Sequence, residues 1–208
     1  MASDRPVTLV FWPGLNPGWK SQLDPVAPLL DEAGVRVIAI APPWDRPTPD
    51  DYLPSRLAAH VLDVVPVDRF VFMGFSWGGS IGVQLAADHP ERLDGLILLD
   101  GGYRDLDLDA VPLDALVEYF DREYEGTAAP WSSRAAAWAL RGVATEKQTA
   151  THDRLRLPIL LVLARDAEGT VPNAEVHRLN AGHDVLSDQP HETARLVLEW
   201  LARLPADG

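Results

Sequence analysis

No cysteine occurs in the 208 residues. That excludes disulfides, thiolate zinc sites and a cysteine nucleophile, so any covalent catalysis has to come from another side chain. Positive charge is scarce: 18 Lys and Arg stand against 31 Asp and Glu, a formal net charge of −13. A field of that sign repels phosphate backbones and anionic lipid surfaces, so neither a nucleic-acid partner nor a membrane partner is expected. Long apolar runs are missing too, none approaching the ~20 residues of a transmembrane helix. Met1-Ala2-Ser3-Asp4-Arg5-Pro6 shows neither the basic start nor the cleavage site of a secretory leader. The expectation is a cytoplasmic protein. The phosphate-binding pattern G-x-x-x-x-G-K-[ST], the dinucleotide pattern G-x-G-x-x-G and the zinc pattern H-E-x-x-H are absent. No carboxylate spacing proposes a metal, and no cofactor is expected.

What remains is an ordinary globular composition, 47% apolar and 24% charged, in a length that suits one domain over residues 1–208. Short apolar runs rich in β-branched and aromatic residues, bounded by Gly or Pro, alternate with helical patterns. The runs are Val7–Trp12, Val35–Ala41, Arg69–Gly74, Leu93–Asp100 and Pro158–Ala164, with a shorter one at Ala174–Leu179. This pattern predicts an α/β fold: a mostly parallel, doubly wound sheet with helices on both faces. Helices are expected at Gly79–Asp88, halted by His89-Pro90, and from about His191 to Leu204. Residues 103–152 break the alternation. They carry helical patterns at Leu113–Tyr124 and Ser132–Val143, with Ser132 or Ser133 as N-cap, but no good strand. In a doubly wound sheet such an insertion sits at the carboxyl ends of the strands, where ligands bind. It reads as a small helical cap belonging to the same domain.

The central motif is Gly74-Phe75-Ser76-Trp77-Gly78, lying between a predicted strand and a predicted helix. This G-x-S-x-G setting is that of a nucleophile elbow, in which a strained turn presents the serine and glycines leave room around it. A serine hydroxyl is a poor nucleophile until a base takes its proton. Among six histidines, His183 in Ala181-Gly182-His183-Asp184 stands out, on a glycine-containing loop after the last strand and before the final helix. His60, His89, His152, His177 and His191 read better as solvated or packed side chains.

Strand, elbow serine, insertion, acid loop and late Gly-His follow one another in an order that resembles the α/β-hydrolase fold family over nearly the whole chain. His89-Pro90-Glu91-Arg92-Leu93 is similar to the family's link from the elbow helix to the next strand. The resemblance implies acyl-transfer chemistry, with Ser76 attacking a carbonyl and His183 moving the proton. It places the acid first at Asp166, after the penultimate strand, although the family's glycine before the acid is missing. Asp100, at the end of Leu96-Ile97-Leu98-Leu99-Asp100, occupies a second position the family uses, and Glu168, four residues before Pro172, stays open as well. The resemblance also implies an oxyanion hole made by two backbone amides. These would be Trp77 and Leu15, the latter in a loop with Pro13-Gly14 where relatives carry His-Gly.

Seven tryptophans are many for this length. Trp12 and Trp44, beside strand ends, and Trp131 and Trp138, in the cap, suggest an aromatic wall for an apolar group. The sequence therefore points to a serine hydrolase cleaving an ester or related acyl bond of a small, rather apolar molecule. Thioester or C–C bond hydrolysis and perhydrolysis are alternatives within the fold, and a non-catalytic small-molecule receptor is an alternative outside catalysis. Activity is expected to fall as His183 is protonated. Nothing in the pattern points to an oligomeric state.

Overall fold

Side chains alternate between the two faces of a strand, so a strand that is apolar at every position must be covered on both sides. The middle strands of this chain answer that description. The computed structural model describes residues 7–129 and 131–205; the reading of residues 1–6 as leaderless lies outside them. The strands are β1 (Thr8–Trp12), β2 (Arg36–Ala39), β3 (Phe70–Phe75), β4 (Leu93–Leu99), β5 (Ile159–Leu163) and β6 (Glu175–Arg178). They form a single sheet in the order β2-β1-β3-β4-β5-β6, every pairing parallel. The observed strands lie within a residue or two of the sequence expectation. β2 and β6 are the two edge strands, each pairing on one side only, and both carry exposed positions.

Among the described residues the helices are α1 (Ala27–Glu32), α2 (Pro54–Val64), α3 (Trp77–Asp88), α4 (Leu113–Glu123), α5 (Ser133–Thr145), α6 (Thr149–His152), α7 (Val185–Asp188) and α8 (Pro190–Leu201). Helix α3 starts two residues earlier than its apolar pattern predicts, because the chain turns into it directly at Ser76. Ser132 caps α5, its side chain accepting the Ala135 N–H at 3.1 Å. The last helix ends at Leu201 rather than Leu204.

Two apolar cores flank the sheet. Val10, Trp12, Phe72, Leu96, Leu98 and Leu161 face one core, shared with α2, α3 and the α4–α5 pair. Leu9, Phe11, Met73, Ile97, Leu99 and Val162 face the other, shared with α1 and α8. Burying one such side chain is worth about 1.5–3 kcal/mol relative to leaving it in water, so both faces hold the sheet in register.

The strand order sets the site. From β1 the chain goes outward to β2, then returns to the opposite side of β1 as β3. A crevice opens at such a reversal, beyond the carboxyl ends of the two strands. Here those ends are Trp12 on β1 and Phe75 on β3, followed by the Pro13-Gly14-Leu15 loop and by Ser76. The segment between β4 and β5 contributes α4, α5 and α6, and residues of α4 and α5 line the cavity over Ser76.

Candidate active site

Strand β3 runs straight into α3 through Ser76, whose φ of 51° and ψ of −112° lie outside the regions L-residues prefer. The turn is tight enough that a Cβ on Gly74 would overlap the Gly78 backbone, and one on Gly78 would overlap the Trp12 carbonyl. Only glycine fits at these two positions, and the serine hydroxyl is left standing at the head of α3.

Register brings the next partner. Phe75 pairs with Leu99, so Ser76 and Asp100 are the first residues beyond two neighbouring strands. The Ser76 N–H donates to the Leu99 carbonyl at 2.9 Å, and the Asp100 N–H to the Val162 carbonyl at 2.8 Å. Asp100 also has a positive φ, 43°, which turns its carboxylate back under the loop that carries His183. There the His183 Nδ1–H donates to Asp100 Oδ2 at 2.6 Å, and the Ser76 hydroxyl donates to His183 Nε2 at 2.8 Å. Donating Nδ1–H to a carboxylate leaves Nε2 unprotonated, the tautomer that can accept the serine proton. The Asp100 side chain is 5% exposed and that of His183 60%. The carboxylate is thus shielded while the ring edge is open. Asp100 Oδ1 accepts the Ala164 N–H at 3.0 Å and faces the Tyr103 hydroxyl at 3.5 Å. Burial, with the Asp100 charge beside it, pushes the Tyr103 phenol above its ordinary range.

Asp166, the first expectation for the acid, does not meet His183. Its side chain is 88% exposed and lies 3.5 Å from the Arg165 guanidinium. The reason is topological: Asp166 follows β5, one strand further from Ser76 than β4, and three residues past its end. Glu168 is also exposed. Asp184 is occupied as the cap of α7, accepting the Ser187 N–H at 3.1 Å.

Trp77 and Leu15, whose amides were expected to form an oxyanion hole, line the same cavity as Ser76. Trp77 is the first residue of α3, so its N–H has no partner within the helix. In the loop after β1, Pro13 has no N–H and the Gly14 N–H is taken by Gln22 Oε1 at 2.8 Å. The next amide, Leu15, has no hydrogen-bond partner among the described residues, and Leu15 lines the cavity above Ser76. The Leu15 carbonyl is held by the Tyr124 hydroxyl at 2.7 Å, from the end of α4. Burial, followed by the neighbouring Tyr119 and Glu123, pushes the Tyr124 phenol up to about 12, so it stays a donor across the physiological range. Neither Gln22 nor Tyr124 was signalled by the sequence. The Tyr124 contact joins segments that meet only after folding, and the Gln22 contact forms when the connection after β1 folds back on itself.

The cavity over Ser76 measures about 410 Å³ and is walled by Tyr103, Leu106, Phe120, Tyr124, Leu140 and Val143. Trp12, Trp44, Trp131 and Trp138 do not line it, which corrects the expectation of a tryptophan-walled pocket. Trp12 is fully buried and sits edge-on to Trp77, Trp44 stacks on Trp77 at 5.1 Å, and Trp131 lies against Trp44 at 4.1 Å. Trp138 packs on Tyr52 at 5.9 Å. Indoles packed on one another form a column beside the elbow, where aromatic contact and burial outweigh exposure to a ligand. Their apolar faces are spent on the column. Among the described residues no three His, Cys, Asp or Glu side chains cluster closely enough to hold a metal ion, and no helix is long and apolar enough to cross a membrane.

Comparison with known proteins agrees with this architecture. A family model described as "alpha/beta hydrolase fold" matches residues 7–157. The 2-hydroxy-6-oxononadienedioate/2-hydroxy-6-oxononatrienedioate hydrolase of Cupriavidus pinatubonensis is 32% identical over 105 residues, 46% of this chain and 36% of that protein. The chain thus matches about a third of the length of this curated relative. The enol-lactonase of Burkholderia xenovorans superposes with a TM-score of 0.78 at 17% identity, covering 96% of this chain and 92% of that one. The bromoperoxidase of Bacillus anthracis does so with a TM-score of 0.72 at 15% identity, covering 97% and 94%. At these identities the likeness to both solved structures is one of fold.

Proposed function

The chain belongs to the alpha/beta hydrolase fold family, and from that premise we propose that it is a serine hydrolase cleaving an ester or related acyl bond of a small, rather apolar substrate. The observation that carries the reading is the continuous relay of two short hydrogen bonds, 2.8 Å from Ser76 to His183 and 2.6 Å from His183 to Asp100, ending at a serine held in a strained turn. In this reading Ser76 Oγ attacks the carbonyl while His183 Nε2 takes its proton, and Asp100 holds the ring and stabilises the imidazolium. The Leu15 and Trp77 amides stabilise the oxyanion. His183 then gives the proton to the leaving group, and water attacks the acyl-enzyme with His183 again as base. Asp100 takes the place first expected for Asp166, and residues 103–152 act as a cap within one domain.

The 410 Å³ cavity is of the size and apolar character that suit a small organic substrate. A small molecule is accordingly the partner, and no step in the scheme requires a cofactor. The strongest rival is a non-catalytic receptor on the same scaffold. Intact mass after incubation with a fluorophosphonate separates the two, with wild type run beside Ser76→Ala. One adduct on wild type alone is the expected result. No adduct on either protein would move the receptor reading ahead, and an equal adduct on both would remove Ser76 as nucleophile.

A further inference from the structure

The cavity over Ser76 is not the only opening at this place. A second, of about 400 Å³, adjoins the same His183–Asp100 pair and is lined as well by Ala164, Asp166, Ala167, Ala181 and Gly182. The two openings share Asp100, Tyr103, Arg104 and His183. Of these four, Arg104 is the residue for which the relay has no use.

Arg104 is exposed, and among the described residues it makes neither a hydrogen bond nor an ion pair. In a chain of net charge −13 that is notable, because acidic partners are plentiful. Arg69, Arg154, Arg195 and Arg203 each hold a carboxylate at about 2.7 Å or less. Arg104 is instead laid over the Tyr103 ring, its guanidinium carbon 5.6 Å from the ring centroid. Tyr103 is itself buried and faces Asp100. A guanidinium resting on an aromatic face keeps its N–H edges free, and those edges match a carboxylate with two parallel hydrogen bonds. Beside it the wall is apolar, from Leu106, Phe120, Leu140 and Val143. Two acidic side chains reach the same cavity: Asp100, whose carboxylate is already engaged by His183 and the Ala164 N–H, and Glu123 of α4, which is exposed. Neither is paired with Arg104. An anionic group is repelled at the α4 side and attracted at the Tyr103 side, so the two charges orient a ligand as well as bind it.

We propose that Arg104 is a specificity-determining residue and that the substrate is an apolar molecule carrying a carboxylate, which Arg104 binds beside the reacting bond. The inference rests on the acyl-transfer reading above and deepens it. It names a substrate class, an apolar body with one anionic end, that the overall acidity of the chain would otherwise disfavour.

The test compares two matched ester pairs in wild type, Arg104→Gln and Arg104→Glu. One pair is 4-nitrophenyl valerate and mono-4-nitrophenyl glutarate, which places the carboxylate on the acyl chain. The other is phenyl butyrate and 4-carboxyphenyl butyrate, which places it on the leaving group. The readout is the ratio of kcat/KM for the charged ester to that for its neutral partner, which cancels effects of the substitution on folding or on the relay. In at least one pair this ratio is expected to be about tenfold higher in wild type than in Arg104→Gln, and lower again in Arg104→Glu. The wild-type ratio should also shrink as salt is raised, since Arg104 is exposed. Equal ratios in wild type and Arg104→Gln for both pairs would overturn the inference while leaving the hydrolase reading intact, provided the neutral esters are cleaved through Ser76. If no ester is cleaved and the fluorophosphonate leaves no adduct, the hydrolase reading fails and this inference falls with it.

Discussion

At Ser76 and at Asp100 the backbone adopts positive φ, 51° and 43°, and each conformation costs of order 1–3 kcal/mol for a residue with a side chain. Both are held by hydrogen bonds from their own N–H groups to the neighbouring strand, Leu99 and Val162 respectively. Strain at two adjacent strand ends is therefore supported by the strongest part of the fold, the centre of the sheet. The consequence is that Asp100, not Asp166, is the carboxylate hydrogen-bonded to His183. Asp100→Asn should lower kcat on an aryl ester by roughly 10³–10⁴-fold, because an amide can no longer enforce the Nδ1–H tautomer. Asp166→Asn should leave kcat within about twofold. Steady-state kinetics on the two variants decide the matter, and a large loss in Asp166→Asn with a small one in Asp100→Asn would reverse the assignment.

Between elements, carboxylates tie the segment between β4 and β5 to itself and to the rest of the fold. Helix α2 begins without a cap from its own N-cap residue, Leu53. Its first turn is satisfied instead by Glu146 at the end of α5, which accepts the Ser55 N–H at 2.8 Å and the Ser55 hydroxyl at 2.6 Å. A carboxylate at a helix N-terminus also meets the positive end of the helix dipole. The two ends of the insertion are joined in the same way. Asp105, soon after β4, accepts the Thr149 N–H at 3.0 Å and its hydroxyl at 2.5 Å at the start of α6. Burial alone would raise the Asp105 carboxyl, but the Thr149 hydrogen bonds outweigh it and hold the group below its ordinary value of 3.8. A carboxyl lowered on folding stabilises the folded state above its unfolded value, and that contribution is lost as pH falls through the folded value. Asp105→Asn should therefore lower the thermal midpoint at pH 7, and the gap from wild type should narrow as pH is lowered from 7 to below 3.8. A gap unchanged across that range would show that the ionised carboxylate contributes nothing.

Over the whole molecule, two apolar cores press on one sheet while the surface carries a net charge of −13. Like charges spread over a compact body repel one another and favour expansion, an effect that salt screens. Raising sodium chloride from about 10 mM to about 300 mM should raise the thermal midpoint, as read by far-ultraviolet circular dichroism. A midpoint that falls with salt would mean that attractive ion pairs such as Arg69–Asp94 and Arg203–Glu175 dominate the balance. Surface pairs of this kind are worth little individually, so the repulsive term is expected to win.

The parallel sheet, the elbow glycines and the helical insertion were legible in the sequence because each leaves a local signature. Runs such as Leu96-Ile97-Leu98-Leu99, short and bounded by turn residues, read as buried strands, and Gly74 and Gly78 flank a serine at a strand–helix junction. Local chemistry of this kind depends on spacing along the chain, which a sequence displays. Which carboxylate meets His183 does not. Asp100 and Asp166 both follow apolar strands, and only the order β3-β4-β5, with Phe75 in register with Leu99, puts one beside Ser76 and the other out in solvent. The tryptophans teach the same lesson. Their number suggested a pocket wall, but Trp12, Trp44 and Trp131 come from three separate segments and join a column on Trp77 rather than lining the cavity. Periodicity and glycine placement act over a few residues and are determined by the sequence alone. Partner choice among distant side chains is decided by sheet order and packing, which exist only in the tertiary structure.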